Sequence, residues 1–182
     1  MFGDRTTNRE FLYYGLVIAF LSFVLVGCET WVHPIAEHLG SYSEGLARVE
    51  IKGKWGYVDL QGRLVIAPKF DYAWDFSEGF AAVRLGNHWG YIALGGNFVI
   101  QPTFDWAYEF SEGLAAVRSE WKWGYIDYRG EYVIQPQFEV AHPFVNGIAK
   151  VKRDGLWELI NREGQLMPTN ANQTSTGKKN SS

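Results

Sequence analysis

A single cysteine, Cys28, stands in the whole 182-residue chain. A lone thiol excludes an internal disulfide framework and any zinc site built on several thiolates. Histidine is scarce too: His33, His38, His88 and His142 are scattered without an H-E-x-x-H or paired-ligand spacing, so no metal centre is expected. The 17 Lys+Arg against 20 Asp+Glu give a net charge of −3. Without a basic excess there is little to neutralise a phosphate backbone, which excludes nucleic acid as a partner class. Catalytic motifs are missing as well. Around Gly40 to Gly45, Ser41 stands where a nucleophile elbow needs glycine, and Asn172 replaces the first glycine of a phosphate loop ending in Gly177-Lys178. The acids Glu44, Glu78 and Glu112, and Asp71, Asp105 and Glu139, recur in near-identical surroundings, whereas an active site needs unlike residues converging once. They read as turn formers and solvated charges. The expectation is a chain with no catalytic residue, no cofactor and no metal, and not an enzyme.

What the chain has in quantity is apolar and aromatic material, 47% and 16% of residues, enough for a packed core. The 17 residues from Phe11 to Gly27 are apolar-rich and uncharged, preceded by Arg5 and Arg9 and followed after Cys28 by Glu29. That order matches a secretory signal, and its length also reaches the lower limit of a spanning helix, about 17 residues. Its end, Leu25-Val26-Gly27-Cys28, resembles the lipobox of bacterial lipoprotein signals. The resemblance implies cleavage before Cys28, lipidation of its thiol and an acyl anchor in the membrane. Residues 1–27 are thus a signal peptide or an uncleaved anchor, and 28–29 a lipidated cysteine and short linker. Both alternatives place residues 29–182 outside the cytoplasm, on the inner or the outer membrane of a bacterial envelope.

The remainder repeats with a period of 34 residues. Proline recurs at 34, 68, 102 and 136, glycine at 45, 79, 113 and 147, and tryptophan at 55, 89, 123 and 157, with no gap. Phased on the prolines, the units are 30–63, 64–97, 98–131 and 132–165, followed by a tail at 166–182 whose polar composition predicts disorder. Apolar residues alternate within a unit, as in Ala81, Val83 and Leu85 against Ala82 and Arg84, the mark of a half-buried strand. Trp89 to Ile92 predicts a second strand and Asn97 to Ile100 a third, ended by Pro102, with Phe104 to Gly113 as connection. The expected fold is mostly β: three-stranded antiparallel meanders in tandem, forming a β-solenoid or a closed repeat array after an N-terminal apolar helix. One hairpin cannot bury its faces alone, so neighbours must stack.

WGYVD at 55–59, WGYIA at 89–93 and WGYID at 123–127, with FSEGFAAVR at 76–84 and FSEGLAAVR at 110–118, closely resemble the bacterial WG (KWG) repeat family. The resemblance implies a β-rich repeat module and no particular activity. The last unit departs from it: Glu158 follows Trp157, Asn146 replaces the glutamate, and Pro168 falls where isoleucine is expected, as in a cap. Trp55, Trp89, Trp123 and Trp157, with Gly56, Gly90 and Gly124, read as structural core. Trp74, Trp106, Trp121, Tyr72 and Tyr108 fall out of register, in connections and a turn, and are the candidate binding residues. The function expected is an envelope-tethered scaffold that binds another protein. The alternative is a cell-wall glycan or small ligand held by those aromatics.

Overall fold

The structure, a computed structural model, describes residues 36–168. The N-terminal helix, Cys28, the linker, the first six residues of the first unit and most of the tail lie outside the described residues. Within them the protein is all β, with no helix. Fifteen strands form four antiparallel sheets, each in simple sequence order. Sheet one holds β1 (His38–Ser43), β2 (Leu46–Ile51), β3 (Lys54–Asp59) and β4 (Leu64–Phe70). Sheet two holds β5 (Tyr72–Ala73), β6 (Phe80–Leu85), β7 (His88–Ala93) and β8 (Phe98–Phe104). Sheet three holds β9 (Trp106–Ser111), β10 (Leu114–Ser119), β11 (Lys122–Ile126) and β12 (Tyr132–Phe138). Sheet four has only β13 (Val140–Ala141), β14 (Ala149–Arg153) and β15 (Leu156–Ile160).

This corrects the expected architecture in two respects. The meanders are four-stranded in the first three sheets, because the segment read as a connection supplies a strand of its own. That strand is two residues long in sheets two and four, and its ladder is broken by an irregularity in sheets one and three, too little for an alternating pattern to show. Second, among the described residues the array is neither a solenoid nor closed. A solenoid runs hydrogen bonds from unit to unit, whereas here every ladder is completed inside one sheet, and among the described strands none of sheet one pairs with any of sheet four.

The sheets meet face to face through side chains. One face of each carries large residues and the other small or branched ones: Tyr57, Ile66 and Phe70 cover Ala81, Val83 and Ile92. Tyr91, Ile100 and Phe104 cover Ala115, Val117 and Ile126 in the same way, and Tyr125, Ile134 and Phe138 cover Ala149, Val151 and Ile160. Large on small lets the layers interdigitate, and the 34-residue spacing makes each interface a copy of the last.

The Trp-Gly pair and the Ile-x-Pro-x-Phe run are two halves of one feature. In sheet two Trp89 pairs with Phe104 and Tyr91 with Ile100, so the single residue Gly90 faces three residues bulging out of β8. Pro102 sits in that bulge, where its missing N–H costs no ladder bond, so the strand runs on through it rather than ending there. The bulge lies directly on the glycine: a Cβ there would be 2.6 Å from the Ile100 carbonyl oxygen and 2.7 Å from the Pro102 nitrogen. Gly124 meets the same obstruction from Ile134 and Pro136, at 2.5 and 2.8 Å.

Candidate functional site

The recurrent polar residues first have to be separated from any site, and most of them hold sheet to sheet. Ser43, Ser77 and Ser111 each donate Oγ–H to a carbonyl one repeat on, of Phe76, Phe110 and Phe144, at 2.6, 2.8 and 2.7 Å. The carboxylates that follow accept backbone N–H groups of the next turn. Glu78 takes those of Glu112 and Gly113 at 2.7 and 2.9 Å, and Glu112 those of Asn146 and Gly147 at 2.5 and 2.7 Å. Glu44 reaches the Gly79 N–H at 3.0 Å. Charge-assisted bonds of this kind are stronger than neutral ones, so these acids are clamps rather than free solvated charges. Tyr57, Tyr91 and Tyr125 complete the set by donating to the carbonyls of Trp74, Tyr108 and His142 at 2.7 to 2.8 Å. Burial holds all three tyrosine hydroxyls well above the ordinary phenol pKa, so they stay protonated donors.

Sheet four has no neighbour beyond it among the described residues, and every partner-seeking residue is replaced there: serine by Val145, glutamate by Asn146, tyrosine by Leu159. Glu158 stands in the glycine position because no fourth strand lies over it. These substitutions make the last unit a cap, and Trp157, equivalent to buried Trp89 and Trp123, is 50% exposed.

Strands β1 and β9 and the segments that follow β5 and β13 line an open cavity of about 360 Å³, with Ser43, Asp75, Ser77, Glu109 and Ser111 among its residues. The serines are already bonded, and Asp75 lies 3.1 Å from Arg48 Nε. Glu109 makes no ion pair; burial first, then the Asp75 charge, raises its carboxyl pKa above the usual range.

The five out-of-register aromatics separate into two groups. Tyr72, Trp74, Trp106 and Tyr108 are half-buried and pack between sheets. Trp106 lies 5.3 Å from Trp89, Tyr72 5.8 Å from Trp89, Trp74 6.4 Å from Tyr108, and Tyr108 stacks on Trp123 at 5.1 Å and 17°. They form one ladder of rings with Trp55, Trp89 and Trp123. Trp121 does the opposite. It is 81% exposed, at the tip of the β10–β11 hairpin.

The backbone of that tip is unusual for its residues. Glu120 and Trp121 have φ of 51° and 66°, the double left-handed turn that a two-residue hairpin favours. Two of the three equivalent tips, Lys52-Gly53 and Asp154-Gly155, have glycine where Trp121 stands, and the third is Gly86-Asn87. A bulky residue in this region is an outlier. Two further features mark this unit, although the second is partly shared by Arg48, which also lies near two indoles, Trp55 and Trp74. Elsewhere an acid one strand back accepts the tip's N–H groups: Glu37 from Lys52 at 3.1 Å, Asp71 from Gly86 at 2.7 Å, Glu139 from Gly155 at 3.0 Å. The carboxylate of Asp105, the equivalent here, accepts no hydrogen bond and forms no ion pair among the described residues. Arg118 lies between two indoles instead, its guanidinium carbon 5.4 Å from the Trp121 ring and 6.0 Å from that of Trp123. Its Nε is buried without a hydrogen-bond partner, and no carboxylate pairs with it. Arg118 went unnoticed in the sequence because arginine also stands at 84; the tryptophan in a glycine's place was the available signal.

Residues 37–55, 55–87, 89–120 and 123–157 match the family described as WG containing repeat. The chain belongs to that family. After the first, each match runs from the Trp-Gly strand of one sheet into the first two strands of the next, so the matched repeat straddles two neighbouring sheets. No curated protein matches the sequence. Among solved structures, Kluyveromyces lactis Hsv2 with complete loop 6CD is 13% identical with a TM-score of 0.54, over 73% of this chain and 50% of that one. The K. lactis Hsv2 in which loop 6CD is replaced by a Gly-Ser linker is 16% identical with a TM-score of 0.51, over 73% and 52%. The WG-repeat chain therefore spans about half the length of these structures, and the likeness is one of fold, to repeat proteins of β-propeller type.

Proposed function

We propose that this WG-repeat protein is a non-catalytic module that binds another protein through the hairpin carrying Trp121. The observation that carries the reading is the exposed indole at a backbone position suited to glycine. A left-handed residue other than glycine costs about 1–2 kcal/mol, and nothing in the packing of the sheets uses the ring. Tryptophan and arginine are the residues enriched at the energetic centres of protein interfaces, and here Arg118 supports the ring from below. The protein reading is favoured over the glycan one because four of the five aromatics are turned into the ladder between sheets, leaving no open row of rings for a sugar chain. The lipobox resemblance supports a tether at Cys28 on a bacterial envelope membrane, with the repeats outside the cytoplasm.

The substitution Trp121→Gly separates binding from folding. Relief of the strained turn is partly offset by loss of the exposed cation–π contact, about 0.5–1 kcal/mol, so the melt should hold or rise by up to about 1 kcal/mol. Capture of a partner from detergent-solubilised envelope, read by mass spectrometry with and without glycan hydrolase, should fall at least tenfold. Equal capture by both proteins would refute the assignment, and recovery that vanishes after glycan digestion would transfer it to the cell wall.

A further inference from the structure

We infer that Arg118 is the receptor for a carboxylate on the bound protein, with an apolar neighbour of that carboxylate packing on Trp121. This rests on the reading of the Trp121 hairpin as the binding surface. A guanidinium is a planar fork matched to carboxylate geometry, and stacking leaves its donor edge free while fixing its plane. The Arg118 guanidinium lies within 6.0 Å of both the Trp121 and the Trp123 ring, its Nε is buried so that only its terminal nitrogens can face a ligand, and no acid pairs with it. The other arginines of the sheets contrast with it: Arg48 lies 3.1 Å from Asp75, and Arg153 3.3 Å from Glu158. Arg84, the register equivalent of Arg118, also has an unpartnered Nε, but Asn87 stands at its hairpin tip where Trp121 would be. Only the third sheet combines the free guanidinium with an exposed ring.

The charges around the fork are compatible with an anion. Lys122 is exposed on the same hairpin, and Glu120 at the tip is exposed beside it. Asp105, whose backbone N–H donates to the Arg118 carbonyl at 2.9 Å, forms no ion pair with the guanidinium. The ligand is thus a carboxylate next to an apolar side chain, which either an internal Asp or Glu or a chain terminus can supply.

Three synthetic peptides separate these sources: acetyl-Leu-Gly-Glu-Gly-Leu amide, the same peptide with Gln for Glu, and the Gln peptide ending in a free carboxylate. Binding to the 15N-labelled full chain is read from the Arg118 Nε–H resonance and from indole fluorescence. At least one carboxylate peptide should bind ten times more tightly than the Gln amide. That preference should disappear in Arg118→Gln and weaken in Arg118→Lys, which keeps the charge but loses the fork. Equal binding of all three peptides, or undiminished preference in Arg118→Gln, would overturn the inference. If no peptide exceeds the Gln amide while partner capture still depends on Trp121, the carboxylate receptor fails and the Trp121 surface stands. If capture is indifferent to Trp121→Gly, the surface itself fails.

Discussion

Trp89→Ala is expected to lower the stability of the array by about 3–5 kcal/mol, the usual cost of truncating a buried tryptophan. Trp89 is 2% exposed and touches rings on both sides of an interface, Tyr72 and Trp74 in its own sheet and Trp106 in the next. Its removal therefore leaves a cavity between sheets two and three and loosens the ladder of rings through both. Since each sheet contacts only its neighbours, stability is close to a sum of unit and interface terms. Losing the central interface should split the transition, so that urea unfolding becomes broader as well as earlier. Trp157→Ala supplies the comparison. The same residue at the same register is half exposed in the cap, and its truncation should cost less than half as much, without broadening.

The second large effect is expected from one methyl group. Gly90→Ala places a carbon 2.6 Å from the Ile100 carbonyl oxygen, a distance that neither backbone can accept without moving. Overpacking typically costs about 1–3 kcal/mol, and this case should reach the top of that range or exceed it, because the obstruction is backbone rather than a flexible side-chain end. Either β8 lifts off β7, or the bulge opens and Pro102 loses its place. Glu158→Ala tests the explanation at the equivalent position of sheet four, where no strand lies over the residue. There the change removes only a partly exposed ion pair with Arg153 and should cost about 1 kcal/mol or less. Chemical denaturation of both variants measures the contrast.

Much of this was legible in the sequence, since the period, the Trp-Gly pair and the apolar alternation all follow from what a strand must bury. The Ile-x-Pro-x-Phe run could be seen to repeat, but not that it folds down over the glycine of the preceding strand. That contact is set by a bulge, which leaves no periodic trace. Alternation reports which face of a strand is covered and not what covers it, so face-to-face stacking could not be told from a solenoid. The clamp residues carried a clearer signal than was used. Serine, glutamate and tyrosine recur three times and vanish together in the fourth unit as Val145, Asn146 and Leu159, which is what bonds to a following neighbour require. At the candidate site, the sequence shows which aromatics fall out of register, but only the three-dimensional arrangement separates Trp121 from the four that pack inward. Asp105 could not be singled out at all, because its difference from Asp71 is a hydrogen bond and not a residue type.

The central claim is that the third hairpin tip, alone among four, touches a partner. Placing a photo-crosslinking phenylalanine analogue at position 53, 87, 121 or 155 of the full chain, and irradiating whole cells, tests it directly. A covalent adduct of one defined mass formed from position 121, and absent or at least tenfold weaker from the other three, is the predicted result. Adducts of equal yield from all four tips, or from any tip except 121, would contradict it.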